Sequence, residues 1–501
     1  MKLAEELDGL PLALATAGAY LDQTARSFLD YLRLYKESWA RLKETSPELS
    51  SYEDRTLYST WQISFDNIKQ RNSLSMNLLR LWAYFDNQDL WFELLQHGES
   101  DSPEWLRELT KDELSFDGAV RVLSNHGLVE VATPSQESTE SKGYSIHGCV
   151  HSWTIHALNQ KWDYDLARLA VKFVAAHVPG DKDIQPLLLQ RRLLQHAARC
   201  SHMFSKSLVR DDELADDCHN LGYLYANQGK LVEAKQMYQR ALQGYEKAWG
   251  PDHTSTLDTV NNLGLLYADQ GKLVEAEQMC QRALQGKEKA WGRDHTSTLD
   301  TVNNLAVLHK NQGKLVEAEQ MCQWALQGKE KAWGPDHTST LDTVNNLAVL
   351  YKNQGKLVEA EQMYQRALQG YEKAWGPDYT STLSTVNNLA NLYANQGKLV
   401  EAEQMYQRAL QGYEKAISPD LISTYVPALT ITFNLGLLFE REDDITTART
   451  MFSEALRGYK QVFGADHAKS ETVRNKLCAL NAMLKNKAPE EIEEHLEDVP
   501  T

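Results

Sequence analysis

The sequence predicts a mainly α-helical chain whose second half is a solenoid of stacked helix pairs. Three observations carry this. Gly229, Gly271, Gly313, Gly355 and Gly397 recur every 42 residues, each followed by Lys-Leu-Val-Glu-Ala, and a fixed period of this size marks stacked supersecondary units. Leu221, Leu263, Leu305, Leu347 and Leu389 keep step, as do Ala234, Ala276, Ala318, Ala360 and Ala402, at steps that share one helix face. The composition, 42% hydrophobic and 24% charged over 501 residues, is that of a folded chain, and an array absorbs such length without one giant core.

From the amino terminus, Gly9-Leu10-Pro11-Leu12-Ala13 follows the amphipathic Leu3-Ala4-Glu5-Glu6-Leu7. It resembles the Gly-Leu-Pro-Leu-Ala motif late in the NB-ARC nucleotide-binding module. Trp61-Gln62-Ile63-Ser64-Phe65 through Leu78-Leu79-Arg80-Leu81-Trp82 looks like the winged-helix segment that follows the motif in fungal proteins of that type. The resemblance implies a helix over Val120 to Leu128, a strand at Val129-Glu130-Val131, a polar wing loop from Thr133 to Gly143 and a returning strand at Tyr144-Ser145-Ile146-His147. Residues 1–50 would then be the carboxyl-terminal helical part of an NB-ARC module and 51–160 a winged-helix-like domain. Leu166 to Val171 and Leu187 to Cys200 read as two helices of a connector spanning 161–210.

In the NB-ARC family a Met-His-Asp histidine touches the nucleotide phosphates and the proline packs near the base, which assigns cofactor contacts to His147 and Pro11. Ile146-His147-Gly148 departs from that motif at both flanks, and no G-x-x-x-x-G-K-[S/T] phosphate loop occurs. No cofactor is therefore expected, ADP or ATP entering only through an upstream half that carries the loop; by this resemblance the chain begins inside the module. His147, Cys149, His151 and His156 are zinc-ligand types at close spacing, but a run crossing from strand to helix scatters them. Structural histidines and no metal are expected.

Residues 211–417 hold five 42-residue units. In one of them, Ser255-Thr256-Leu257-Asp258 reads as a capping box that starts a first helix, A, and Gly271 ends it. A second helix, B, runs from Lys272 to Trp291-Gly292, with alanines that let the pair approach closely. Residues 418–487 read as a degraded sixth unit, in which Leu435, Ala448 and Ala455 are displaced by four further residues and Asp443 replaces the glycine, followed by a capping helix from Ala468 to Lys485. Residues 488–501 read as an acidic, disordered tail.

The register Leu-Gly/Ala-x-x-Tyr…Gly…Ala…Ala resembles the tetratricopeptide repeat, and the Trp-Gly-Pro-Asp-His linker looks like the kinesin light chain subclass. A helix wheel puts Val260, Leu263, Gly264 and Tyr267 toward helix B, and Asp258, Asn261, Asn262, Leu265, Ala268 and Asp269 on the other side. In the tetratricopeptide family that other side lines a concave peptide groove. The resemblance thus implies an asparagine ladder of Asn261, Asn303, Asn345 and Asn387 with neighbours Asn262, Asn304, Asn346 and Asn388. An amide donates and accepts, so it can pair with any peptide backbone. The near-identical units differ most at Tyr223, Leu265, Val307, Val349 and Asn391, and one turn on at Ala226, Ala268, Lys310, Lys352 and Ala394. That the middle of this face differs most points to a protein or peptide partner. Trp324, where sister units carry Arg282 and Arg366, has no account from sequence.

The formal charge of −17 argues against nucleic acid and anionic membranes, and the apolar run Gly9 to Leu21 is too short to span a bilayer. Six scattered cysteines without a C-x-x-C pair suit a reducing compartment, so a cytoplasmic location is expected. No catalytic constellation stands out, and an intrinsic enzyme is not expected. The functional reading is a peptide-binding remnant of an NB-ARC sensor. The alternatives are the end of a nucleotide-switched NTPase and a kinesin-light-chain-like cargo adaptor.

Overall fold

The computed structural model describes residues 7, 10–24, 26–45, 52–96, 102–131, 142–159, 161–180, 186–209, 213–417 and 422–487. The chain forms two compact units, residues 1–259 and 260–501. It is mainly α-helical, and among the described residues the strands are confined to one two-stranded ribbon.

The first unit runs α1 (Pro11–Thr24), α2 (Phe28–Thr45), α3 (Tyr52–Arg71), α4 (Ser73–Trp82), α5 (Glu104–Leu109) and α6 (Glu113–Asn125). Next come β1 (Glu130–Val131), β2 (Tyr144–Ser145) and α7 (Gly148–Trp153), which passes into a π-helical turn at Thr154–Leu158. Polar side chains start the helices where the backbone lacks partners: Asn72 accepts from Ser75 N at 2.9 Å and Asp112 from Ser115 N at 2.7 Å. The ribbon is antiparallel, with Glu130 opposite Ser145 and Val131 opposite Tyr144, so the strand pairing expected from the sequence is present; the wing loop lies largely outside the described residues. Aromatic rings fill the core beneath it, with Trp61 on Trp153 at 5.9 Å and Phe116 on Tyr144 at 5.7 Å.

The two connector helices are α8 (Tyr164–Ala176) and α9 (Pro186–Ser205). α9 pins the loop after α4. Buried His196 accepts from Asp86 N at Nδ1 (3.2 Å) and donates from Nε2 to Asp89 O (3.0 Å), a pairing that selects the neutral Nε2–H tautomer. Arg192 forks onto Asp89 and stacks 4.0 Å from Trp91. The unit continues with the first repeat pair, α10 (Ala215–Asn227) and α11 (Leu231–Trp249), and the boundary falls within α12 (Thr254–Asp269).

The second unit continues with α13 (Leu273–Trp291), α14 (Thr296–Asn311), α15 (Leu315–Trp333), α16 (Thr338–Asn353), α17 (Leu357–Trp375), α18 (Thr380–Asn395) and α19 (Leu399–Ala416). The degraded unit is α20 (Val426–Arg441) and α21 (Ile445–Phe463), capped by α22 (Ala468–Lys487). A helices end as expected: Gly271 has φ 74°, Lys272 N reaches back to Tyr267 O at 2.8 Å, and Asp443 takes the same left-handed role with φ 63°. α22 closes the array by laying Val473 and Leu480 on Phe452 and Tyr459. The tail 488–501 lies outside the described residues.

Helix A begins earlier than the capping box expected at Ser255. The cap is the linker histidine: Nδ1 of His253, His295 and His337 accepts from the amide two residues on, at 3.3 Å each. Its ring lies on the preceding tryptophan, Trp333 to His337 at 4.6 Å. The threonines read as part of the box sit inside the helix and hold the linker instead, Thr298 Oγ1 donating to Gly292 O at 2.9 Å and Thr340 to Gly334 O at 3.0 Å. The Trp-Gly-x-Asp-His run is therefore a joint, with glycine at φ 87° at Gly292 turning the chain. Asn261, which the wheel sets away from helix B, and its equivalent Asn303 are buried at 7% exposure, and Leu257 and Leu266, which the wheel leaves unassigned, are core residues. α14 is packed on more than one side, because the B helices α13 and α15 both press on it.

Candidate functional site

The A helices place the paired asparagines side by side along the second unit, with the ladder partly bonded to itself. Asn346 Nδ2 donates to Asn303 Oδ1 at 3.3 Å, and Asn434 Nδ2 to Asn387 Oδ1 at 3.1 Å. Asn391 Nδ2 donates to Asn387 O, while Tyr406 OH donates to Asn391 Oδ1 at 2.7 Å. Asn262, Asn304, Asn345 and Asn388 are half-buried. Asn261 Oδ1 and Asn345 Oδ1 are buried without a hydrogen-bond partner, and such an acceptor costs about 1–3 kcal/mol until one arrives. Sequence reasoning missed Asn434, Tyr406 and Arg441, which line a recess of about 40 Å³ with Asn391 and Leu437. The period offset by four residues places Asn434 opposite Asn388, so that one was findable; Tyr406 reaches in from helix B.

Leu265, Val307 and Val349 are half-buried beside the ladder, as are Lys310 and Lys352 one turn on. Tyr223 is half-buried in the first unit. Burial lowers the pKa of Lys310, and burial together with the charge of Lys310 lowers that of Lys352. Elsewhere in the array lysines meet acids: Lys314 Nζ lies 3.1 Å from Glu277, Lys356 3.0 Å from Glu319, and Lys398 3.3 Å from Glu361.

These glutamates are struts between repeats, each also accepting from a glutamine of the next unit: Gln312 to Glu277, Gln354 to Glu319 and Gln396 to Glu361. The Gln312 bond chiefly holds the Glu277 pKa below the usual range; at Glu319 and Glu361 burial pulls upward but is outweighed by the glutamine and lysine bonds. A depressed carboxylate pKa supplies stability that is present above the unfolded value of about 4.3 and is lost as pH falls through the folded value. Glu319→Gln with Glu361→Gln should accordingly flatten the fall of the melting temperature between pH 5 and pH 3. An unchanged slope would remove the struts from the account.

Trp324 now has an explanation. In sister units Arg366 bonds Glu330 at 2.6 Å and the linker carbonyl of Pro335 at 3.2 Å. One unit earlier the cation has moved into the linker as Arg293, 3.3 Å from Glu288 and stacked 4.3 Å from the Trp324 ring. The exchange keeps a cation beside the glutamate.

Pro11 is the exposed first residue of α1, and His147 is exposed and caps α7 by accepting from Cys149 N at 3.3 Å. Cys149 and His156 are exposed and His151 half-buried; among the described residues no group of three or more His, Cys, Asp or Glu is placed to hold a metal ion. Nor, among them, is any helix long and apolar enough to cross a membrane.

Comparison with known proteins identifies the array. Residues 218–289, 256–331, 297–373 and 338–415 each match the tetratricopeptide repeat family. A nucleotide-binding leucine-rich repeat (NLR)-like protein of the fungus Hyaloscypha variabilis is 30% identical over 282 residues, covering 52% of this chain and 25% of the relative. The chain thus spans about a quarter of that relative's length. Among solved structures, the nearly identical repeats of a Podospora anserina putative kinesin light chain are 22% identical, with 42% of this chain and 99% of that one covered and a TM-score of 0.34. The apo quorum sensor NprR of B. thuringiensis is 13% identical, with 66% and 92% covered and a TM-score of 0.40.

Proposed function

We propose that this tetratricopeptide array binds an extended segment of a protein partner along the concave side of its A helices. The observation that carries the reading is where the units differ. Linker joints, glutamate struts and alanine seams repeat almost unchanged, whereas the position beside the same asparagines changes from Leu265 to valine at Val307 and Val349 and to Asn391. The half-buried Asn262, Asn304, Asn345 and Asn388 would supply side-chain amides to a ligand backbone. The chain would be the carboxyl-terminal part of an NB-ARC type sensor, in line with the NLR-like relative; nucleotide contacts at Pro11 and His147 belong to that reading and require a phosphate-loop half.

The test is titration of peptides selected from a display library against the whole chain. Asn303→Ala with Asn345→Ala should weaken them at least fivefold, since each net hydrogen bond is worth about 1 kcal/mol, with the helical circular dichroism unchanged. Equal affinity in the variant would rule out the ladder as the binding surface.

A further inference from the structure

We infer that the first unit carries a proton-operated clasp: acid charges His151 and His196 and releases the loop of residues 83–89 from α9. Both rings face that loop. His196, at 0% exposure, accepts from Asp86 N at 3.2 Å and donates to Asp89 O at 3.0 Å, and it packs on Phe85 and Trp91 with ring centroids 5.7 Å away in each case. A proton on Nδ1 turns that nitrogen into a donor facing the Asp86 N–H, which breaks the first bond. His151, half-buried on α7, lies against the backbone of Trp82 and Phe85, and its Nε2 atom is buried without a hydrogen-bond partner. On its other side the loop is bonded to the ribbon, Asn87 Nδ2 donating to Ile146 O at 2.7 Å and Ile146 N to Asn87 O at 2.8 Å, so the contact that opens is the one with α9.

The charges around the two rings already cancel. Asp86 and Asp89 come from the loop, Arg192 and Arg199 from α9. Arg192 forks onto Asp89, while half-buried Arg199 has Ala83 O at 3.4 Å and a buried Nε without a partner. Tyr84 of the loop accepts from Asp163 N at 3.1 Å, and burial keeps the Cys200 thiol beside Arg199 neutral. Two further protons therefore place two uncompensated positive charges where water is scarce. Burial is the main cause that lowers the pKa of both histidines. The stability they supply is thus present above the value of about 6.5 for an exposed imidazole and is lost as pH falls through the lower folded value. The loop also stores backbone strain, since Asp89 has φ 51°, a left-handed conformation that a residue other than glycine keeps while its surroundings hold it.

The experiment is amide hydrogen exchange of the full chain at pH 7.5 and pH 5.5, read by mass spectrometry and corrected for the intrinsic rate. One pH unit below the value of an exposed imidazole, each histidine that gains its proton only on opening multiplies the open population about tenfold. Exchange in residues 83–92 should therefore rise about a hundredfold, with residues 341–350 of the second unit unchanged as the control. A rise of less than about threefold overturns the inference. His196→Gln keeps an acceptor and a donor without a titrating group, and His151→Gln removes the other proton site; each alone should cut the rise to about tenfold and the pair should abolish it. A rise that survives in the double variant places the acid effect elsewhere and also overturns the clasp. Where a substitution itself opens the loop at pH 7.5, deuterium uptake at the imidazole C2 carbon of the unmodified chain decides: His196 must gain its proton in step with exchange of the loop, and a His196 that charges while residues 83–92 stay protected refutes the mechanism.

Discussion

Asp300→Asn is expected to destabilise the array by about 3 kcal/mol. The effect comes from the partner it strands. Lys329 is 1% exposed on α15, with its ammonium 2.6 Å from Asp300 Oδ1 and 3.2 Å from Ser339 O. Neutralising the aspartate leaves a buried cation with carbonyl contacts only. The sister pair shows the uncharged solution, in which Tyr371 OH donates to Asp342. Lys329→Tyr in the presence of Asp300 should then be close to neutral, since the phenol needs no counter-ion. Urea unfolding followed by circular dichroism checks both, and a cost below about 0.5 kcal/mol for Asp300→Asn would show that water reaches Lys329.

Gly370→Val should cost a similar amount, about 3 kcal/mol, through overpacking. A Cβ at Gly370 would lie 2.4 Å from Cδ1 of Leu341, a side chain 1% exposed at the start of α16. The same seat recurs at Gly328 for Leu299 and at Gly412 for Leu383; the glycine is there for room, with an ordinary helical backbone. Gly355→Ala is the contrast. There φ is 77° and nothing lies within 4 Å of the new methyl, so the loss should be only about 1 kcal/mol of backbone strain. Equal costs at the two positions would refute the distinction.

Much of this was legible in sequence because a repeat is its own alignment: five copies of Gly-Lys-Leu-Val-Glu-Ala locate every A–B turn, and Asp443 betrays the sixth. The helix starts were misplaced because Ser-Thr-x-Asp has the form of a capping box, while histidine does the capping from a position where propensity rules favour serine or aspartate. The one-sided wheel failed at Asn261 and its equivalent Asn303, since a helix pressed by two B helices has no single core face. Positions 310 and 352 could be read as variable, but the burial that lowers their pKa is a property of packing. In the first unit the short ribbon was legible from Val129 to His147, whereas the Asp89–Arg192–His196 clasp joins residues about a hundred positions apart and leaves no local pattern.

The recurring joint has a consequence for how such a protein can change over generations. Excision of the 42 residues from Lys314 to Gly355 would splice Gly313 to Lys356, set Leu299 into the seat at Gly370 and bring Asp300 to the Tyr371 hydroxyl. Each of these partnerships already exists one unit away. A reading frame that loses or duplicates one copy by unequal crossing-over keeps its fold and shifts only which side chains line the partner surface, and in what order, so the length of the array is a heritable variable that folding leaves free.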